Sequence, residues 1–335
     1  MLLSIIIPIY NAGNNLNRLL DSLICEEGGY EIILVNDGST DESGSICKRY
    51  AEKFPIIKYI EQENSGVSAA RNRGIEDSTG KYLLFIDADD RVNDLTTRVL
   101  NILGDKEYDL LEYGYNVLRD NEVVNETIPD MTRASRIDEI KDDFVRYADS
   151  PMYNNVWNKI FRRDVIDGNK IRFNNMKIGE DCCFVCDYLR NCRGSYRFIE
   201  DNLYTYVEDG ISATNSFCPE RWENELTLIK KLETCMTEFK IQEKIRDEFR
   251  DKKKIKACLY EIENIVRAKD KKNSILEQKR FHEMHDYIHD IDTKYFERIS
   301  KKQKILVFCI KYNIPLVVYL YIGYRRNKLR GNTFD

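Results

Sequence analysis

Residues 2–24, LLSIIIPIYNAGNNLNRLLDSLI, decide the fold. Leu2 to Ile9 is an apolar, largely β-branched run with the length of a strand buried on both faces. After the Asn11–Asn15 loop, Leu16, Leu19, Leu20, Leu23 and Ile24 recur at the i, i+3, i+4 spacing of an amphipathic helix. The same unit then repeats. Glu31–Asn36, Ile56–Ile60 and Tyr82–Ile86 read as strands, and Asp41–Lys53 and Ser68–Asp77 as the helices between them. Such βα repeats over the first 90 residues predict an α/β fold, a Rossmann-like, mostly parallel sheet flanked by helices.

Beyond Asp94 the pattern loosens. A helix near Leu95–Leu103 and a strand near Tyr108–Val117 are expected, followed by a polar loop or edge ribbon over Arg119–Arg136. From about Arg221 to Tyr295 the chain turns helical, charged and poor in Gly and Pro, which sets a domain 1–218 and a helical extension 219–335. The 335 residues are 42% hydrophobic and 33% charged, enough for a sizeable core. Ten scattered cysteines behind an N-terminus with no signal-peptide pattern read as free thiols in a reducing cytoplasm. The net charge is −5, but nine Lys and Arg with no acid lie between Arg298 and Phe334, so the remainder carries −14. An acidic body of that kind argues against a nucleic-acid partner.

In open α/β sheets, ligands sit beyond the carboxyl ends of the strands. Pro8, Tyr10 and Asn11 follow the first strand, Asp37 the second, Asn64 and Ser65 the third, and Asp87-Ala88-Asp89-Asp90 the fourth. Three carboxylates in one turn repel one another unless a cation or hydrogen-bond donors compensate them. Hard oxygen ligands suit Mg²⁺ or Mn²⁺; a helix cap, a role open to Asp94, is the alternative reading. Asn36–Asp41 is a strand-to-helix turn in which Gly38 permits an unusual backbone angle. Small residues in Gly66–Ala70 let the third helix approach the sheet, and Arg71 is either a counter-charge for phosphate or a surface arginine.

The segments SIIIPIYNA, VNDGSTD, NSGVSAARNRG and FIDADD, in this order and spacing, resemble the nucleotide-sugar domain of family 2 glycosyltransferases of the GT-A fold, over about residues 1–215. The resemblance implies a UDP-sugar donor. By it, Pro8 and Tyr10 line the base pocket, Asp37 bonds the uracil, and Asn64 and Arg71 hold the nucleotide. Asp87 then faces the ribose side, with Ala88 beside it, and Asp89 holds Mn²⁺ or Mg²⁺ at the pyrophosphate. Gly179-Glu180-Asp181 matches the family's Glu-Asp pair at a helix start, and makes Asp181 the general base of an inverting hexosyl transfer. By charge alone, Glu180 and Asp181 need only favour the helix dipole. Val156–Phe161 also matches the family. It leaves Trp157 either stacked on a sugar face or anchoring the domain edge, with Lys159 and Glu180 as candidate acceptor or phosphate contacts. The activity expected is surface-polysaccharide synthesis on a saccharide or lipid-linked acceptor. A non-catalytic sugar-binding subunit and a sugar nucleotidyltransferase are the alternatives.

Ile305 to Tyr324 is apolar apart from Lys311 and Asn313, is broken by Pro315, and is flanked by basic residues. Residues 298–330 are therefore expected to associate with the inner leaflet of a membrane as two short interfacial segments, making the protein peripheral at its cytoplasmic face.

Overall fold

The computed structural model describes every residue except 121, 128–132, 209–215, 269–273 and 332–335. Contacts divide the chain into two compact units, Met1–Gly210 and Ile211–Asp335.

The first unit is built on strand β1 (Leu3–Ile9), helix α1 (Gly13–Leu23), β2 (Tyr30–Asp37), α2 (Ser43–Lys53), β3 (Ile57–Gln62), α3 (Val67–Asp77) and β4 (Tyr82–Phe85). All seven residues of β1 are buried, as expected of a largely apolar run. The strands β3, β2, β1 and β4 lie side by side and parallel, so their carboxyl ends share one edge. Helix α3 sits hard against β1. A Cβ on Gly74 would come within 2.2 Å of Ile6 Cγ2, so only glycine allows this approach.

After β4 come β5 (Arg91–Val92), α4 (Leu95–Asp105), β6 (Leu110–Arg119), β7 (Glu122–Thr127), α5 (Ile137–Asp142) and α6 (Phe144–Asp149). Then follow β8 (Lys159–Arg162), α7 (Arg163–Gly168), α8 (Glu180–Asn191) and β9 (Tyr196–Val207). The expected mostly parallel sheet requires correction here, because the nine-stranded sheet is mixed, in the order β3-β2-β1-β4-β8-β6-β9-β5 with β7 on β6. Strand β8 enters antiparallel between β4 and β6, β5 runs antiparallel to β9, and only the β6–β9 pair restores parallel order. The polar ribbon expected after Arg119 is in part β7, an edge strand antiparallel to β6; Ile128 to Thr132 lie outside the described residues.

The second unit is helical: α9 (Arg221–Glu238), α10 (Glu243–Arg267), α11 (Ser274–Ile288), α12 (Lys301–Lys311) and α13 (Pro315–Gly331). Trp222, Ile229, Cys258, Ile262, Phe281, Met284, Val307 and Val318 form its core. The apolar tail is thus two helices broken at Tyr312–Ile314. Among the described residues no helix is long and apolar enough to cross a membrane. The side chains of Arg298 and Arg330, expected at the flanks of the tail, lie outside the described residues.

Candidate functional site

Two turns at the carboxyl edge of the parallel strands are laced together. Asn11, at φ +52° after β1, receives Thr40 N–H on its side-chain oxygen at 2.8 Å and donates its own N–H to Ser39 Oγ at 3.0 Å. Asp41 accepts Gly13 N–H at 3.0 Å, and Ser43 Oγ accepts Ala12 N–H at 2.9 Å. Gly38, at φ +70°, lies so close to the next loop that a Cβ would meet Asn64 N at 2.8 Å. Asp37 is buried at the end of β2. Its Oδ1 accepts Gln62 Nε2 at 2.7 Å and Ser65 N–H at 2.9 Å, and its Oδ2 accepts Gly66 N–H at 2.8 Å. Asp37 therefore shapes the loop that leads into α3, and one lone-pair position on Oδ2 remains for a ligand. Pro8 is buried at the end of β1, Tyr10 is 54% exposed beside it, and Asn64 is exposed.

The three carboxylates after β4 take three different environments. Asp90 is buried, accepting Tyr204 Oη–H at 2.6 Å and Val207 N–H at 2.8 Å, and burial beside Asp87 and Asp89 pushes its carboxyl well up. Asp87 is partly buried and paired with Arg71 at 2.9 Å, with Ala88 packed beneath the turn. Asp89 is exposed. Among the described residues no three His, Cys, Asp or Glu gather into a cation cage. A cation at Asp89 would thus draw most of its ligands from phosphate oxygens and water, the habit of Mg²⁺ and Mn²⁺ bound by one or two carboxylates.

Arg71 is the centre of the site. On the second turn of α3 it is 3% exposed, and its two terminal nitrogens serve three acids. Nη2 donates to Asp87; Nη1 donates to Asp181 Oδ1 at 2.6 Å and to Glu180 Oε1 at 3.4 Å. The guanidinium lies over the Phe173 ring at 5.2 Å, and Phe173 stacks on Phe184 of α8 at 4.2 Å. Asp181 and Glu180 are thereby held at the start of α8 against the end of β4. One cation shared by three carboxylates leaves the cluster two negative charges in excess. Burial pushes the Asp181 carboxyl up to about 7 against the pull of Arg71, and Glu180 and Asp87 push it further in the same direction.

The resemblance assigned Arg71 to the nucleotide; in the structure it bridges Asp87 to Asp181. Sequence reasoning missed Phe173 and Tyr204, whose partners are far away in sequence. One other expectation needs correction. Lys159 is fully buried, and its ammonium is consumed by Met152 O at 2.5 Å, Asn155 O at 2.7 Å, Asn158 Oδ1 and Glu112 Oε1 both at 3.0 Å, so it has no donor left for phosphate. Trp157 is 5% exposed, stacked on Tyr204 at 4.4 Å and edge-on to Tyr115 at 4.7 Å, which leaves no face for a sugar. It is the domain anchor of the two readings.

A central sheet flanked by helices, with a C-terminal helical region, is GT-A-like. Residues 4–168 match the family model Glycosyl transferase family 2, and the chain belongs to that family. It is 36% identical over 209 residues to the uncharacterized glycosyltransferase YibD of Escherichia coli, covering 61% of this chain and 60% of that one. To the uncharacterized glycosyltransferase EpsJ of Bacillus subtilis it is 29% identical over 219 residues, covering 64% and 63%. The chain thus spans about 60% of the length of these curated relatives. In fold it resembles the crystal structure of S. aureus TarS 1-349 in complex with UDP, with a TM-score of 0.64 at 18% identity over 99% of this chain and 92% of that one.

Proposed function

We propose that this protein transfers a sugar from a UDP-sugar to a hydroxyl of a saccharide acceptor in polysaccharide assembly, with inversion at the anomeric carbon. One observation carries the reading: Arg71 ties Asp87, at the donor end of β4, to Asp181, at the start of α8, in a single cluster. A carboxyl lifted to about 7 is suited to take a proton near neutral pH. Asp181 accepts the acceptor's hydroxyl proton as that oxygen attacks the anomeric carbon. The bond from that carbon to the diphosphate oxygen breaks, and its electron pair leaves with UDP. No second carboxylate is required as a nucleophile, so a single displacement inverts the centre. The uracil N–H would take the remaining acceptor position on Asp37, and Tyr10 and Pro8 would border the base. Asp89 would hold Mn²⁺ or Mg²⁺, whose charge offsets that of the departing diphosphate.

A panel of UDP- and GDP-sugars, assayed for release of the nucleoside diphosphate with Mn²⁺, Mg²⁺ or EDTA, tests the assignment. One UDP-sugar should turn over, only with metal, and Asp89→Ala should stop it. Turnover undiminished in EDTA removes the metal from the reading, and exclusive use of a GDP-sugar removes uracil. Binding of a UDP-sugar without turnover, with every acceptor offered, would favour a binding subunit on the same fold.

A further inference from the structure

Helices α12 and α13 are apolar on two faces each. One face of each lies in the core of the second unit, through Val307 and Ile310 on α12 and Val318 and Ile322 on α13. The other face is bare. Ile305 and Phe308 on α12 and Tyr312 at its C-terminal cap follow one another at helical spacing, and Leu316, Leu320 and Tyr324 do so on α13, each between 47% and 66% exposed. Of the fifteen large apolar side chains exposed among the described residues, eight fall between Ile305 and Tyr324, so the exposure is concentrated rather than scattered. The two helices pack on one another. Soluble monomers rarely leave an apolar patch of this kind unpartnered.

Charge indicates what covers it. Lys301, Lys302 and Lys304 occupy the first turn of α12, where the helix dipole favours acids and disfavours cations. No acid lies between Ser300 and Gly331, in a chain that is otherwise acidic. Arg325 is paired with Glu263 and Arg326 with Glu277, whereas Lys301 and Lys302 at the start of α12, the latter over the Tyr321 ring, and Lys328 near the end of α13 are exposed. A second copy of the same face would set these cations against each other, but an anionic bilayer would accept both the cations and the apolar ridge. At about 1.5 Å per residue, the eleven residues of α12 and seventeen of α13 are each shorter than the roughly 30 Å of a hydrocarbon core. We infer that the α12–α13 hairpin is an in-plane membrane-docking surface, seating Phe308, Leu316 and Leu320 among the acyl chains of an anionic lipid leaflet, with the lysines at its headgroups. The inference does not depend on the sugar-transfer reading.

Flotation of the full chain with vesicles of phosphatidylcholine alone, or with phosphatidylglycerol added, tests it. The protein should float with the anionic vesicles and lose that affinity as salt is raised. Leu316→Asp with Leu320→Asp should weaken binding at least about tenfold, since each buried leucine is worth well over that factor. Lys301→Glu with Lys302→Glu should weaken it less. Val123→Asp with Val124→Asp, on the exposed edge strand β7, is the charge-matched control and should bind as the parent does. Thermal unfolding of each variant shows that it is folded. Failure of the parent to float overturns the inference, as does equal loss in the β7 control. A lipid-free dimer that the Leu316→Asp, Leu320→Asp variant dissolves would instead assign the face to a second copy.

Discussion

Among the described residues of the first unit two cations are buried, Lys159 and Arg71, and their surroundings are opposite. Lys159 and Glu112 form a closed pair, both fully buried; Tyr196 Oη donates to Glu112 at 2.7 Å, Tyr147 donates to it as well, and backbone and amide oxygens fill the ammonium. Arg71 is as deeply buried, yet it faces three acids whose side chains are 15% to 29% exposed. The closed pair is neutral and saturated, so its contribution is to hold β6 and β8 in register. The open cluster is acidic and incompletely compensated, so it retains the capacity to take up a proton or a ligand. A buried ion pair is thus no mark of a site by itself; the mark is charge that the protein leaves unbalanced at a cleft edge.

If this contrast is right, the two clusters fail in different ways when broken. In the open cluster, Asp181→Asn removes the base while keeping the shape. Transfer should fall by about 10²–10⁴-fold, the usual worth of a general base, with UDP binding nearly intact. UDP release in single-turnover assays and UDP titration read the two quantities separately, and unchanged turnover sinks the assignment. In the closed pair, Lys159→Met strands the Glu112 carboxylate, a loss of about 3–5 kcal/mol of stability in urea unfolding. Adding Glu112→Gln should recover most of that loss, because an amide oxygen can still receive the tyrosine hydroxyls. A Lys159→Met protein of parental stability but lost activity would reverse the contrast.

The same contrast governs what the sequence disclosed. Strands β1, β2 and β4 were legible because parallel strands buried on both faces leave apolar runs such as Ile5–Ile9. Strand β8 was not. It is four residues long, opens with Lys159, and pairs with β6, which carries Glu112; two charges that look exposed in sequence are neutralised only by each other. With β5 and β7, this hidden antiparallel strand turns the expected parallel sheet into a mixed one. Within the site, the acids were legible by type and position at the strand ends. The work of Arg71 was not, because Asp181 is 110 positions away and no local spacing encodes the pair. Trp157 stayed ambiguous for the same reason, since Tyr204 and Tyr115 reach it only through the sheet.

A smaller effect sharpens the open cluster further. Arg71 is the larger of two groups that pull the Asp181 carboxyl down, the other being the Val156 backbone, against burial and two neighbouring acids. A base must be ionised to act, so transfer should fall off on the acid side, with a limb near pH 7. Arg71→Gln should move that limb upward by about one pH unit or more, the usual reach of a close counter-charge. Arg71→Lys should move it less. A limb that stays in place in the glutamine variant would show that Arg71 only props up α8.

The smallest expected effect is on stability, and its sign separates a functional carboxyl from a structural one. An acid whose ionisation is raised on folding keeps its proton in the folded chain while the unfolded chain has already released it. For Asp181, that window runs from the ordinary carboxylate range up to about 7. Within it the folded state binds more protons, so stability falls as pH rises, and the loss is complete above the window. Asp181→Asn cannot ionise. The variant should therefore lack this slope and gain on the order of 1 kcal/mol over the parent near neutral pH, allowing for the lost attraction to Arg71. Urea midpoints at about pH 5 and about pH 8 would measure it, with the advantage of the variant appearing only at the higher pH. A variant less stable than the parent at that pH would mean that Arg71 gains more from an ionised Asp181 than burial costs, and the cluster would then be as structural as the Lys159–Glu112 pair.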